Sequence, residues 1–127
     1  LKALWNVFIP MKRFMKTKNP KFVEKFSTAL FTERDSFAIQ FLTKVFTHFN
    51  MDFSPLPVIK KESAKTILTP ITLFGADEDL FFPGQKMIKR AKSIFPSLKE
   101  TILFTGSKHV QKESDNRIIE DKIIQSL

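Results

Sequence analysis

The chain contains no cysteine among its 127 residues, which excludes a disulfide framework and any zinc site built on thiolates. This absence is consistent with a reducing compartment, and we expect the protein to be cytoplasmic. Tyrosine is also absent and glycine occurs only three times, so the glycine-aromatic pattern of an RNA-recognition motif has no counterpart here. No apolar run approaches the roughly 18 residues of a membrane-spanning helix, and we expect no stable membrane anchor.

Acidic residues are scarcer than basic ones, and the formal net charge is +8. The excess lies in the first half: residues 1–60 carry ten Lys and Arg against four acids, and residues 61–127 carry eleven against nine. A basic chain suggests a nucleic-acid partner, but no zinc-finger spacing or other nucleic-acid motif accompanies this charge. We therefore predict a solvated lysine-rich face and no nucleic-acid partner.

The length corresponds to one domain or to part of one. The first residue is Leu1 rather than methionine, and we expect an upstream segment to be missing.

The apolar residues of the first half recur at helical spacing and predict two amphipathic helices. The first stripe begins after Asn19-Pro20, and the second follows a cap at Asp35 or Ser36. Both phenylalanine-rich stripes are expected to be packing surfaces; they consist of Phe22, Phe26 and Leu30, and of Phe37, Phe41, Val45 and Phe49. The prolines of "NMDFSPLPVIK", residues 50–60, then predict a linker without regular structure.

In the second half of the chain the spacing of the apolar residues changes. The unbroken apolar runs "ITLF", residues 71–74, and "TILF", residues 101–104, are typical of strands buried on both faces of a parallel sheet. Helical spacing returns at residues 84–95, where Pro96 ends the pattern, and again in a last helix with Ile119, Ile123 and Leu127 on one side. The order strand, helix, strand, helix predicts an α/β fold with two parallel strands. Two such strands do not form a stable sheet alone, so we expect the chain to be the last part of a larger sheet.

Polar residues follow each predicted strand. Asp77, Glu78 and Asp79 come after the first strand, and His109 comes after the second. Ligands and catalytic groups of open α/β sheets collect at the carboxyl ends of strands, where adjacent strands are only about 5 Å apart. A carboxylate from the first loop can therefore orient the imidazole of His109, as in a catalytic triad. A metal site at the three acids is the weaker alternative, because the spaced acids and the glycine of a calcium loop are absent.

The residues around these loops carry a family resemblance. "TPITLFGADEDLFFP" resembles the acid-bearing strand and loop of α/β-hydrolase-fold enzymes, in which a proline follows the catalytic aspartate by four residues. Asp79 and Pro83 have this relation and Asp77 has no such proline, so the resemblance favours Asp79 over its rival. "ILFTGSKHV" is similar to the family's last strand and histidine loop, with Gly106 preceding His109. The resemblance extends over about residues 63–127.

This resemblance implies a fold and an activity. Residues 1–60 would be a helical cap or lid with its linker, a match of position and type without a motif, and residues 61–127 would be the C-terminal β-α-β-α part of the hydrolase core. The parent protein would hydrolyse carboxylic esters or related acyl substrates, with His109 as general base and acid and Asp79 orienting it. No cofactor and no metal are implied. Esterase, thioesterase, dehalogenase, epoxide hydrolase and C–C hydrolase activities all remain open, and Phe22, Phe26, Phe37 and Phe41 are candidates for lining an acyl pocket.

The sequence also departs from the family pattern. No serine lies in a G-x-S-x-G elbow, because the glycines are at positions 75, 84 and 106. Ser107 is too close to His109 along one loop to attack a substrate beside it. The nucleophile and oxyanion hole would lie upstream, so the chain alone is expected to be inactive. The expected partners are an ester or acyl substrate and the remaining N-terminal part of the same protein. The alternative is a non-catalytic binding or oligomerisation module that associates with itself.

Overall fold

The computed structural model describes residues 2–49, 54 and 57–126. Its elements follow in this order: a π-helical turn (Leu4–Phe8), α1 (Ile9–Thr17), α2 (Pro20–Leu30), α3 (Ser36–His48), α4 (Lys61–Lys65), β1 (Ile71–Ala76), α5 (Gly84–Ile94), β2 (Leu98–Phe104) and α6 (Glu113–Ile124). The mixed α/β class and the β-α-β-α order of the second half are confirmed. The first half was expected to be helical, but the π-helical turn and α1 were not singled out within it, and the short α4 was not predicted.

Parts of two predictions lie outside the described residues. Pro55 of the predicted linker is one of these positions and Leu127 of the last helix is another, whereas residues 57–60 have no regular structure. The division into a cap and a core at residue 60 stays a prediction. Within the part of the chain that the structure describes, no helix has the length and apolarity needed to cross a bilayer.

Local signals set the starts of α2 and α3. The side chain of Asn19 accepts a hydrogen bond from the backbone N–H of Lys21, and Pro20 occupies the first helical position, where its missing N–H costs nothing. Of the two candidate caps for α3, the structure uses Asp35, whose carboxylate accepts from the N–H of Ala38. Each cap satisfies a backbone donor that the helix itself cannot pair.

The main hydrophobic core lies between the helices of the first half. Its buried members are Val7, Met11, Phe14, Val23 and Phe26. Half-buried residues pack around it, and two of them, Leu80 and Phe81, belong to the loop that follows β1. The first half therefore packs directly against the loop that contains Asp79.

The packing face of α3 differs from the prediction. The stripe of Phe37, Phe41, Val45 and Phe49 was expected to pack, but Phe37 is 76% exposed and the other two phenylalanines are also exposed. Ile39, Leu42 and Phe46 face the core instead. Both stripes have helical spacing, and spacing alone does not decide which apolar stripe of a helix meets a neighbour.

The sheet consists of β1 and β2, paired in parallel from Ile71 opposite Leu98 to Ala76 opposite Phe104, with one irregularity after Ile71. Helix α5 packs on both strands. The prediction of strands buried on both faces is wrong for this chain, since most strand side chains remain half-exposed and burial is concentrated at the C-terminal ends, at Gly75, Ala76 and Phe104. Two strands leave too much of the sheet without a cover.

Helix α5 lies close against the sheet at Gly84. A Cβ atom there would lie 2.6 Å from Leu103 Cδ1 and 2.8 Å from the carbonyl oxygen of Ala76. We expect Gly84→Ala to lower the free energy of unfolding by about 1–3 kcal/mol, because the backbone must move away. Urea denaturation checks this, with Gln85→Ala at the exposed next position as the control, expected to stay within about 0.5 kcal/mol of the parent. Equal stability of the two variants would show that the close approach is absent.

Candidate active site

The loops that follow β1 and β2 are joined to each other by backbone hydrogen bonds. The N–H of Asp77 donates to the carbonyl of Phe104 at 3.1 Å, and the N–H of Glu78 donates to the carbonyl of Ser107 at 3.0 Å. The Asp77 carboxylate also accepts a hydrogen bond from the N–H of Gly106, at 2.9 Å, in the loop after β2. The pairing of the strands therefore continues past their ends, and the two loops have a defined relative position.

Asp79 and His109 lie in hydrogen-bond contact on these loops. Asp79 Oδ2 is 2.9 Å from His109 Nδ1. The other carboxylate oxygen, Oδ1, accepts from the backbone N–H groups of Phe81 at 2.7 Å and Phe82 at 3.0 Å. Asp79 is only 8% exposed. With both oxygens engaged, the carboxylate is held in one orientation, in which Oδ2 faces the imidazole.

This contact determines which ring nitrogen of His109 can accept a proton. An ionised carboxylate only accepts hydrogen bonds, so Nδ1 of the neutral ring carries the proton and Nε2 has the free lone pair. The His109 side chain is 37% exposed. The neutral ring can therefore take a proton at Nε2 while Asp79 stabilises the imidazolium that results.

Aromatic side chains border the imidazole. The Phe81 ring meets it edge to face with centroids 5.2 Å apart, and the Phe82 ring lies 5.9 Å away. Phe8 of the π-helical turn packs in turn against Phe81 at 5.8 Å. These three residues make an apolar border beside His109, and the sequence interpretation missed all of them, although Phe81 and Phe82 follow Asp79 by only two and three positions.

The phenylalanines considered as pocket-lining residues are placed elsewhere. Within the described part of the chain, none of Phe22, Phe26, Phe37 and Phe41 is in ring contact with His109. Phe26 belongs to the core, and Phe37 and Phe41 are on the exposed stripe of α3.

The rival acid and the nearby serine have other partners. Asp77 binds the Gly106 N–H, so Asp79 rather than Asp77 meets His109. Ser107 is fully buried and its hydroxyl donates to the carboxylate of Asp115, in the first turn of α6. Among residues 2–49, 54 and 57–126, no group of three or more acids and histidines has an arrangement that could hold a metal ion.

Comparisons with known proteins found a similarity of structure but none of sequence. No protein-family profile matches the sequence, and no curated protein matches it either. The structure is similar to the crystal structure of naproxen esterase (carboxylesterase NP) from Bacillus subtilis, with a TM-score of 0.69 and 17% sequence identity. The chain has part of an α/β-hydrolase fold. The match includes 93% of this chain but only 44% of the esterase chain, so the chain spans less than half of that protein.

The order of the two residues along the chain can be compared with the order of triad residues in α/β-hydrolase-fold proteins. Triad residues of such proteins follow in the chain order serine, acid, histidine, with the serine on a strand-to-helix elbow. Asp79 and His109 have the order of the last two. At 17% identity the likeness to the esterase concerns the fold alone, so the catalytic roles of the pair stay a prediction.

Proposed function

We propose that the chain supplies the acid and the base of a Ser-His-Asp triad in an enzyme that hydrolyses carboxylic esters or related acyl substrates. One observation carries the proposal: the 2.9 Å contact between His109 Nδ1 and Asp79 Oδ2 at the carboxyl ends of two adjacent parallel strands. The fold likeness to a carboxylesterase supports it.

The proposed reaction uses His109 twice. Nε2 takes the proton from a serine hydroxyl as its oxygen attacks the ester carbonyl carbon, and it gives that proton to the alcohol as the tetrahedral intermediate collapses. A water molecule then attacks the acyl-enzyme with the same proton transfers, which releases the acid and restores the serine. Asp79 remains ionised throughout, and its contacts with the Phe81 and Phe82 N–H groups keep it in place for the imidazolium. The aromatic border beside His109 favours apolar acyl or alcohol groups.

The nucleophile and the oxyanion donors are proposed to come from a segment outside residues 1–127. Support comes from the missing G-x-S-x-G elbow and from the 44% share of the esterase chain that matches. In this proposal the chain is the C-terminal part of the parent, and the N-terminal part pairs with the sheet. The chemistry needs only side chains and backbone donors, so no cofactor is required.

The test is hydrolysis of p-nitrophenyl butyrate by the complete protein and by its His109→Ala variant. We expect the complete protein to be active and the variant to lose about 10⁶-fold in kcat, because no other group is placed to take the serine proton. The 127-residue chain alone is expected to hydrolyse the ester no faster than buffer. The proposal fails if the complete protein cleaves neither oxygen esters nor thioesters, or if His109→Ala leaves the rate unchanged.

A non-catalytic binding or oligomerisation module is the second candidate. The observations that favour it are an outer edge on each strand of the two-stranded sheet and the exposed apolar stripe of α3, within the part of the chain that the structure describes. Unpaired edges and apolar patches are routes to self-association. Sedimentation velocity distinguishes the candidates: a discrete dimer with cooperative unfolding and no ester hydrolysis would favour the module.

A further inference from the structure

The loop that contains His109 is held by the segment that follows α2. The N–H of Val110 donates to the carbonyl of Leu30, and the N–H of Thr32 donates to the carbonyl of Val110, each at 2.9 Å. These two bonds form an isolated parallel bridge between Phe31 and Val110. A part of the helical first half is therefore paired with the backbone beside the imidazole.

The Thr32 hydroxyl adds a contact on each side of His109. The hydroxyl accepts a hydrogen bond from the backbone N–H of Lys108 at 2.9 Å, and it donates one to the carbonyl of Val110 at 2.7 Å. The sequence separations are 76 and 78 residues. A hydroxyl has one proton to donate and lone pairs to accept with, so Thr32 uses both functions on the two neighbours of a single residue.

The side chain of Lys108 reinforces the same attachment. Its Nζ donates to the carbonyl of Thr28 in the last turn of α2 at 2.9 Å. That carbonyl is one of the helix-end acceptors without an intrahelical partner, and a cation is favourable there. The loop is thus fixed to α2 by backbone, hydroxyl and ammonium contacts.

From this arrangement we propose that Thr32 is a positioning residue that holds His109 at the distance and angle needed to contact Asp79. The imidazole is attached to the chain between the two residues that Thr32 bridges, so a shift of either neighbour moves the ring. Asp79 is anchored independently by the Phe81 and Phe82 N–H groups and does not follow such a shift. The first half is then part of the site rather than only a cover over it.

The effect on catalysis rests on the proposed function, whereas the effect on geometry does not. A displacement of about 1 Å at a reacting group costs on the order of 100-fold in rate. We expect Thr32→Val, which keeps the shape and loses the hydroxyl, to lower kcat of the complete enzyme by about 10- to 100-fold with KM changed less than about twofold. Thr32→Ser is expected to restore the rate to within about threefold of the parent, because it keeps the hydroxyl.

The geometric test is NMR of the protein with ¹⁵N-labelled histidine. The chain has two histidines, and His48, exposed at the end of α3, serves as an internal reference. Thr32→Val is expected to shift the ring signals of His109 and to weaken its downfield Nδ1–H signal, with His48 unchanged. Thr43→Val is the matched control, because that hydroxyl donates within α3, to the carbonyl of Ile39; it should leave the His109 signals unchanged.

Each outcome decides the proposal. Unaltered His109 signals in Thr32→Val would overturn it, even if stability fell, and so would a failure of Thr32→Ser to restore the parent signals. If Thr32→Val does not fold, amide hydrogen exchange of the unmodified protein tests the attachment instead. The Lys108 and Val110 amides should exchange at least about tenfold more slowly than those of an unstructured peptide. Exchange at the rate of an unstructured peptide would refute the attachment. Neither readout needs a substrate, so a failure of the esterase proposal remains distinguishable from a failure of this one.

Discussion

Asp79→Asn is expected to lower kcat for ester hydrolysis by the complete enzyme by about 10³- to 10⁴-fold, with KM nearly unchanged. An asparagine amide can donate to Nδ1 of His109, and the ring proton then resides on Nε2, where it blocks the uptake of the serine proton. The imidazolium also loses the negative charge 2.9 Å away that stabilises it in the transition state. Steady-state kinetics on p-nitrophenyl butyrate measure the loss.

Asp77→Asn is the matched control for this variant. Asp77 lies two residues earlier in the same loop and accepts from the Gly106 N–H. The asparagine oxygen still accepts that bond, so kcat should change by less than about threefold. If Asp77→Asn lowered the rate as much as Asp79→Asn, the assignment of the triad acid would be wrong. If neither variant did, the catalytic proposal itself would fail.

Phe26→Ala is expected to have the largest effect on stability, lowering the free energy of unfolding by about 3–5 kcal/mol. The Phe26 ring is 1% exposed and packs at 5.4 Å from Phe46 of α3. Truncation removes apolar burial and leaves a cavity between α2 and α3 that the surrounding helices fill only in part. Small domains are stable by only about 5–15 kcal/mol, so this loss is a large fraction of the total. Urea unfolding followed by circular dichroism provides the measurement.

Phe37→Ala is the control, since the same residue type is removed from an exposed site on α3. It should change the free energy of unfolding by no more than about 0.5 kcal/mol. A loss as large as that of Phe26→Ala would mean that the stripe of Phe37, Phe41 and Phe49 is the packed face of α3 after all. If Phe26→Ala does not fold, the milder Phe26→Leu keeps the comparison with Phe37→Leu possible.

Several elements follow from signals that are close together in the sequence. The Asn19-Pro20 start of α2, the Asp35 cap of α3 and the end of α5 before Pro96 each depend on contacts within about four residues. The two apolar runs locate β1 and β2, and the helix between them makes a parallel pairing the expected one. The order of an acid and a histidine after these strands could therefore be read from the chain.

The sequence resemblance favoured Asp79 over Asp77 as the partner of His109, and the tertiary structure shows the contact itself. Asp77 and Asp79 both follow β1, and only the folded loop shows that Asp77 binds Gly106 while Asp79 meets His109. Phe81 and Phe82 were close in sequence to the chosen acid, but their contact with the imidazole depends on how the loop turns after Asp79.

The sequence alone specified the positions of the main strands and helices, their α/β order and the residue types at the strand ends. It did so because periodicity, capping and proline effects act between neighbours along the chain. Two features depend on the folded chain: which stripe of α3 is buried, and the bridge from Thr32 to the neighbours of His109, 76 and 78 residues further along the sequence. Those contacts join segments that are far apart in the sequence. No local pattern in either segment identifies its partner, because the pairing depends on the relative positions of whole helices and loops.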